Sequence, residues 1–444
     1  MKKITILTLG CPKNIVDSEK IISALPNDFL FTEDVNDADI ILLNTCGFIK
    51  SALDETIEYI HKLEKLVKQK SKNKKIKNVS IPNIIVFGCA VSRLLNEGID
   101  LKKNFPFVNE FISLTDLDSI IEKILNITNL SNNKKKNTLE NIIRNANITS
   151  PYYAYLKISD GCNRSCSFCT IPSIKGKYKS IPKDILIKES ENLVSKGIKE
   201  IILIGQETTN YGIDINTTFY DLLDNLSNIK NLKWIRIMYT HPASFDLRIL
   251  DLMKERENIC RYIDIPLQHI DEDILNKMKR NIKPTKIKEL ILEMRQRIPD
   301  IHIRTSFITG FPSENIQQHN KLLKYIKQTK FNRLGVFKYS TETNTDAYYI
   351  KPQIDENIKQ ERFDELMLAQ QKISLANNKK MIGKKVRVLI EDDYDDKYYI
   401  GRTEYDAPDI DNCVYIKKKK GIVIGNIIDV EVYNASEYAI YGKF

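Results

Sequence analysis

Three cysteines stand within eight residues in Gly161-Cys162-Asn163-Arg164-Ser165-Cys166-Ser167-Phe168-Cys169, spaced C-x3-C-x2-C. Thiolates suit zinc or an iron-sulfur cluster. A structural zinc site is closed by four ligands, yet the next cysteine is Cys260 and the nearest downstream histidine is His241. Three thiolates suit a four-iron cluster better, because each can hold one iron and leave the fourth open to a small molecule. The spacing therefore predicts an iron-sulfur centre at Cys162, Cys166 and Cys169, ahead of zinc or inert thiols.

Three further cysteines are far apart in sequence but share one local pattern. Cys11, Cys46 and Cys89 each follow an apolar, strand-like run and each touch a glycine, in Gly10-Cys11-Pro12, Thr45-Cys46-Gly47 and Phe87-Gly88-Cys89. Parallel strands end on one edge of their sheet, where ligands collect, so these thiols are expected to converge on a second cluster. Taken singly, each would be a buried core cysteine. Cys260 and Cys413 lack such partners and are expected to be structural.

The elements that must position these residues divide the chain into three parts. Up to about residue 130, strand-like runs (Ile4 to Leu9, Ala38 to Leu43, Asn83 to Phe87) alternate with helical ones (Asp17 to Ala24, Ala52 to Lys65), which predicts a doubly wound parallel sheet. The basic stretch Lys68 to Lys77 reads as a solvated loop, and the polar segment Ser131 to Asn147, with Lys134 to Lys136, as a linker. From 148 to 378, strands are expected near Tyr155 to Ser159, Lys199 to Ile204, Lys233 to Met238, Arg261 to Ile265, Ile301 to Ile308 and Arg333 to Tyr339. Intervening helices such as Pro182 to Ser195 and Ser313 to Lys327 make this an incomplete (β/α)6 barrel of α/β class. The cysteine motif then falls just after the first barrel strand, at the mouth. From 379 to 444, short β runs predict a small barrel of the OB type.

Polar residues at the other strand ends face the same mouth: Gly205-Gln206-Glu207, Tyr239-Thr240-His241, Gln268-His269, Arg304-Thr305-Ser306 and Gly310. Among them Gly205, Gln206, Glu207 and Arg304 are candidates to contact a bound cofactor. His241 and His269 are expected to be satisfied structural histidines.

Composition bounds the rest. The 444 residues suggest roughly two to four domains. Hydrophobic residues at 42% and charged ones at 28% argue against wholesale disorder. No apolar run approaches the ~20 residues of a membrane span, so a cytoplasmic protein is expected, with its eight cysteines reduced and serving metal or redox chemistry. The net charge of +10 invites a nucleic-acid partner, but it rides on Lys, Asn and Ile enrichment along the whole chain and carries little weight.

The C-x3-C-x2-C motif, with Phe168 before its last cysteine, resembles the radical S-adenosylmethionine superfamily. That resemblance implies that S-adenosylmethionine binds the open iron and is cleaved by one electron to a 5'-deoxyadenosyl radical, chemistry that belongs to the cofactor. With Cys11, Cys46 and Cys89 added, the whole chain resembles the radical S-adenosylmethionine methylthiotransferases, built from a cluster-binding N-terminal domain, a radical core and a C-terminal TRAM domain. Membership implies two 4Fe-4S clusters, two uses of S-adenosylmethionine as radical source and methyl donor, a sulfur donor, and an electron donor such as flavodoxin or ferredoxin.

Members act on transfer-RNA adenosines or on the β-carbon of an aspartate of ribosomal protein S-twelve. The stretches Thr8 to Glu19, Ile171 to Tyr178, Trp234 to Phe245 and Gly401 to Ile416 resemble the ribosomal-protein branch, so tRNA is not favoured. Charge points the same way: from Met381 to Phe444 there are ten Lys or Arg against twelve Asp or Glu, a net of −2. Glu404, Asp406, Asp409 and Asp411 in one loop are expected to face a basic protein, while Lys417 to Lys420 reads as a solvated turn. A non-catalytic iron-sulfur RNA-binding protein is the remaining alternative.

Overall fold

The computed structural model describes residues 1–73, 80–128 and 138–444, which form two compact units. The first comprises Met1–Thr149, Ser159–Arg164 and Cys169–Leu193. Its core is a five-stranded, wholly parallel sheet of β1 (Lys2–Thr8), β2 (Phe29–Phe31), β3 (Ile40–Thr45), β4 (Asn83–Gly88) and β5 (Glu110–Ile112), in the order β2-β1-β3-β4-β5. Alternate residues feed two cores: Ile41, Leu43, Ile84 and Val86 pack on one face, and Ile40, Leu42, Ile85 and Phe87 on the other. Burial on both faces is why these strands read as continuous apolar runs. The order reverses direction between β1 and β3, so a crevice opens at the carboxyl ends of those two strands. The doubly wound sheet is as expected; β2 and β5, of three residues each, carry too little pattern to be foreseen.

Two readings of polar segments change. Helix Lys50–Asn73 continues through Lys68 to Lys72, so much of the supposed loop is helical. Lysines are good helix formers, and a solvated helix face and a loop look alike in composition. Residues 74–77, like Lys134 to Lys136, lie outside the described residues. Within the supposed linker, Arg144 is fully buried, bonded to Glu19 and, through Nε at 2.5 Å, to Glu189. Lys20 lies 3.7 Å from Glu189 in the same cluster. Segment 138–147 is therefore packed structure. Replacing Arg144 by Met strands two buried carboxylates, and the expected cost is about 3–5 kcal/mol, read as a loss of denaturation midpoint.

The second unit comprises Ser150–Ile158, Ser165–Phe168 and Val194–Phe444. Six parallel strands, β6 (Tyr153–Lys157), β9 (Glu200–Ile204), β10 (Trp234–Ile237), β11 (Ile259–Asp264), β12 (His302–Thr309) and β13 (Arg333–Lys338), stand in chain order. Between β6 and β9 the chain makes a short antiparallel pair, β7 (Ser159–Asp160) with β8 (Lys179–Ser180), which belongs to the first unit. The six strands and the helices between them form the expected partial (β/α) barrel. Helix Ile316–Thr329 starts after Asn315, whose side chain forms a capping box with Gln318.

The C-terminal strands β14 (Lys385–Asp393), β15 (Tyr398–Thr403), β16 (Cys413–Lys417), β17 (Ile427–Ala435) and β18 (Ala439–Lys443) close a barrel in the order β14-β15-β16-β18-β17. Only β16 and β18 pair in parallel, the connectivity of an OB-type barrel.

The acidic loop of this barrel does not face outward. Arg333 Nε lies 2.8 Å from Asp406, Tyr262 donates to Asp411 at 2.7 Å, and Arg236 donates to the Glu404 carbonyl at 2.8 Å. Glu200 joins Arg236 at 2.6 Å and Arg402 at 2.8 Å. Of the four loop acids only Asp409 is exposed. The loop's negative charge is thus used internally, to hold the small barrel on the large one, and the expectation that it greets a basic protein is withdrawn. No described helix is long and apolar enough to cross a membrane.

Candidate functional site

The three N-terminal cysteines follow β1, β3 and β4, and the fold brings their loops together. Asn14 is the tie. It is 1% exposed, and its amide donates to the carbonyls of Leu9 at 2.8 Å and Thr45 at 3.1 Å. Its Oδ1 lies 4.0 Å from Cys89 Sγ, and its backbone N–H reaches the Cys11 carbonyl at 2.9 Å. One side chain therefore touches the loops of all three cysteines. Gly10, at φ +89°, adds close approach: a Cβ there would lie 2.6 Å from Cys46 Cβ and 2.8 Å from its Sγ. Thr56 fixes the other side of the Cys46 turn by donating to its carbonyl at 2.8 Å.

Burial pushes the Cys46 thiol up, and it pushes Cys89 up to about 12 against the pull of the Lys175 ammonium. Such thiols are poor nucleophiles, and a metal that takes them as thiolates must displace their protons.

The central motif is held residue by residue. Cys162 donates its N–H to Gly176 at 3.3 Å, and its sulfur accepts from the Arg164 N–H at 3.4 Å. Gly161, at φ +69°, must be glycine because a Cβ would sit 2.1 Å from the Lys177 carbonyl oxygen. Cys166 lies 3.5 Å from Arg280 Nη1, and that guanidinium is oriented by the Pro266 carbonyl at 2.7 Å. Ser167 bonds the carbonyls of Lys277 (2.6 Å) and Met278 (3.1 Å), and Phe168 packs against Ile274, Met278, Phe311 and Tyr339. The aromatic residue before the last cysteine is thus a packing anchor for the loop.

None of the eight cysteines forms a disulfide. Among the described residues, no three His, Cys, Asp or Glu close on a single metal position. A cuboidal cluster takes each thiolate on a different iron, so its ligands stand farther apart than those of one ion. Three thiols in each set outside any disulfide, with a glycine cradle beside Cys46, fit iron-sulfur groups.

At the strand ends the candidates separate. Gln206, after β9, has both amide atoms buried without a hydrogen-bond partner, and Thr309 Oγ1 at the end of β12 is likewise orphaned. Buried polar atoms left unpaired usually mark a bound group. Glu207, next to Gln206 and after Gly205, is 3% exposed and accepts from Ser244 Oγ at 2.8 Å and Thr209 Oγ1 at 3.3 Å. Arg304 is a correction: its guanidinium lies 3.0 Å from Asp264 and 3.4 Å from Asp411, so its charge holds the C-terminal barrel in place and is not free for a cofactor carboxylate. Strand position alone cannot reveal a partner from another domain.

His241 Nδ1 accepts from the Ala243 N–H, and His269 Nδ1 from the Asp271 N–H with Glu314 at 3.4 Å from Nε2. Cys260 is wholly buried in β11 and Cys413 half-buried in β16. Sequence reasoning missed Asn14, Arg280 and Lys175. Asn14 and Lys175 sit inside stretches quoted for their resemblance, whereas Arg280 lies 114 residues from Cys166 with no local signal.

Comparison with known proteins agrees with this geometry. Residues 3–112 match a family described as uncharacterized protein family UPF0004, residues 156–326 the Radical SAM superfamily, and residues 382–444 the TRAM domain. The superfamily match implies a 4Fe-4S cluster and S-adenosylmethionine. Among solved structures, the radical S-adenosylmethionine methyltransferase TsrM from Kitasatospora setae is similar in fold. The TM-score is 0.55 at 12% identity, covering 78% of this chain and 74% of that one. The protein named ribosomal protein uS12 methylthiotransferase RimO from Thermoanaerobacter sp. is 40% identical over 456 residues, spanning 100% of both chains. Its namesake from Chloroherpeton thalassium is 38% identical over 448 residues, spanning 99% of this chain and 98% of the other. The chain belongs to the RimO family of radical S-adenosylmethionine methylthiotransferases.

Proposed function

We propose that this enzyme replaces a C–H bond on the β-carbon of an aspartate of ribosomal protein uS12 with a C–S–CH3 group. The observation that carries the reading is the end-to-end similarity to RimO proteins, together with six cysteines arranged as two sets of three. When loaded and reduced, the iron-sulfur group at Cys162, Cys166 and Cys169 supplies the electron that turns S-adenosylmethionine into a carbon radical.

The chain's own residues do the rest. Phe168, Ser167 and Arg280 hold the central loop in register. The Gln206 amide offers a donor and an acceptor at the barrel mouth, beside Glu207. Cys11, Cys46 and Cys89 hold a second 4Fe-4S cluster at which sulfur is presented. A flavodoxin or ferredoxin supplies electrons, and a separate donor replaces the sulfur consumed. Asp406, Asp411 and Glu404 of the acidic loop are occupied within the chain and take no part in holding a substrate.

Intact-mass and peptide mass spectrometry of uS12 from a strain lacking this enzyme tests the assignment. The aspartate methylthio group, 46 mass units from the added CH2S, is expected to disappear, by the atom balance of one sulfur, one carbon and two net hydrogens, roughly. Retention of the group overturns the reading, and loss of methylthiolated adenosine from transfer RNA in its place redirects the enzyme to tRNA.

A further inference from the structure

Arg280 is a buried cation for which the chain supplies no anion. It is 6% exposed, and among the described residues no carboxylate pairs with it. Its Nη2 donates to the Pro266 carbonyl at 2.7 Å, its Nη1 donates to the Cys166 sulfur at 3.5 Å, and its Nε is buried without a hydrogen-bond partner. The comparably buried Arg93, Arg144, Arg236, Arg333 and Arg402 are each paired with a carboxylate. A guanidinium cannot shed its proton to escape burial, so a buried one costs free energy until an anion meets it.

The placement is built into the backbone. Arg280 follows helix Glu272–Lys277 and stands between Lys279 at φ +55° and Asn281 at φ +51°, both left-handed. Side chains seldom adopt that conformation, and it persists where the surroundings demand it. The same turn is fastened to the cysteine loop. Ser167, beside Cys166, donates to the Lys277 carbonyl at 2.6 Å and the Met278 carbonyl at 3.1 Å. One piece of structure therefore sets both the guanidinium and the sulfur it reaches.

We propose that the iron-sulfur group at Cys162, Cys166 and Cys169 is the missing counterion of Arg280, and that Arg280 raises its reduction potential through the N–H bond to the Cys166 sulfur. The inference rests on the reading of those three cysteines as ligands. Three thiolates leave a four-iron cluster a net anion, more negative once reduced. Hydrogen bonds to its sulfurs and nearby positive charge favour the reduced form, the form that must exist before S-adenosylmethionine is cleaved. Arg280 acts through Cys166 and is a positioning residue.

The test is EPR-monitored redox titration of the anaerobically reconstituted full chain, with iron and sulfide counted. The central cluster is identified as the one whose signal changes when S-adenosylmethionine is added. Arg280→Met is expected to keep its iron and to lower the equilibrium constant for reducing that cluster about tenfold, about 59 mV for one electron. Any other cluster signal should hold its midpoint, and Arg280→Lys, which keeps the charge, should recover most of the loss. A midpoint in Arg280→Met equal to wild type overturns the proposal, as does an equal shift of every cluster. Should Arg280→Met take up no central iron, Arg280→Lys and Arg280→Gln decide, and failure of both to hold the cluster also overturns it, because the residue then only builds the loop. Wild-type protein with no signal that responds to S-adenosylmethionine, or a Cys166→Ala variant that keeps it, overturns the ligand reading and this inference with it.

Discussion

Cys166→Ala is expected to abolish reductive cleavage of S-adenosylmethionine, while Cys46→Ala leaves cleavage intact and abolishes sulfur insertion. In the proposed reading the two thiols serve different groups. Cys166 stands in the barrel's first loop, 3.5 Å from the Arg280 guanidinium, and without it one iron of the central cluster has no protein ligand. Cleavage needs an electron from that cluster, so 5'-deoxyadenosine formation under dithionite should fall to background. Cys46 stands after β3, at the edge of the other sheet. On that reading its loss removes a ligand from the proposed second group and leaves the central one untouched. Cys46→Ala should therefore still form 5'-deoxyadenosine but yield no methylthiolated peptide by mass spectrometry. Neither substitution removes large apolar area, and the expected stability cost is about 1 kcal/mol in the metal-free protein. Equal behaviour of two folded variants would end the division of labour between the two sets.

Gly10→Ala is expected to cost the second cluster without any change of ligand. Two physical effects add. Position 10 holds φ +89°, where an L side chain is strained by about 1 kcal/mol. The new methyl would also meet Cys46 at 2.6 Å, well inside van der Waals contact. The nearest atoms are the Cβ and Sγ of Cys46, the proposed ligand, so Cys46 itself must move. Overpacking of this kind costs typically about 1–3 kcal/mol, which a domain of this size survives. Cluster geometry is less forgiving, because each thiolate must meet its own iron. Reconstituted iron is expected to fall from about eight to about four per chain, with cleavage of S-adenosylmethionine preserved. Full iron occupancy in a folded Gly10→Ala variant would show that Cys46 is not a ligand.

How much of this was legible from sequence depended on how local the signal was. The five expected strands of the barrel after the first, and the first itself, lie within a few residues of where apolar runs place them, because both faces of a parallel strand are buried and the run must be continuous. The cysteine loops were legible because a strand end, a glycine and a thiol recur together. Lys68 to Lys72 misled because solvated helix and solvated loop share one composition. Segment 138–147 misled because a single arginine, Arg144, turned inward onto Glu19 and Glu189, and nothing near it in sequence announces those partners.

Charge was the quantity sequence handled worst. Summed over residues 381–444 it is negative, yet three of the loop acids are spent inside the chain, Asp406 on Arg333, Asp411 on Arg304 and Glu404 on Arg387. The same holds for Arg304, whose type and strand position suit a carboxylate ligand and whose two carboxylates come from the chain itself.

What the amino-acid sequence determined by itself was the chemistry: six thiols in two sets of three, each punctuated so that a turn must follow a strand. Local spacing suffices for that, since ligand type, strand periodicity and glycine turns are all short-range properties. Only the tertiary structure decided which polar groups surround those thiols. Asn14 joins three cysteine loops, Arg280 reaches Cys166, Lys175 is buried on Asp160, and most of the acidic loop is turned inward. Each of those outcomes depends on pairing across tens to hundreds of residues, and a buried charge takes its meaning from the partner it finds.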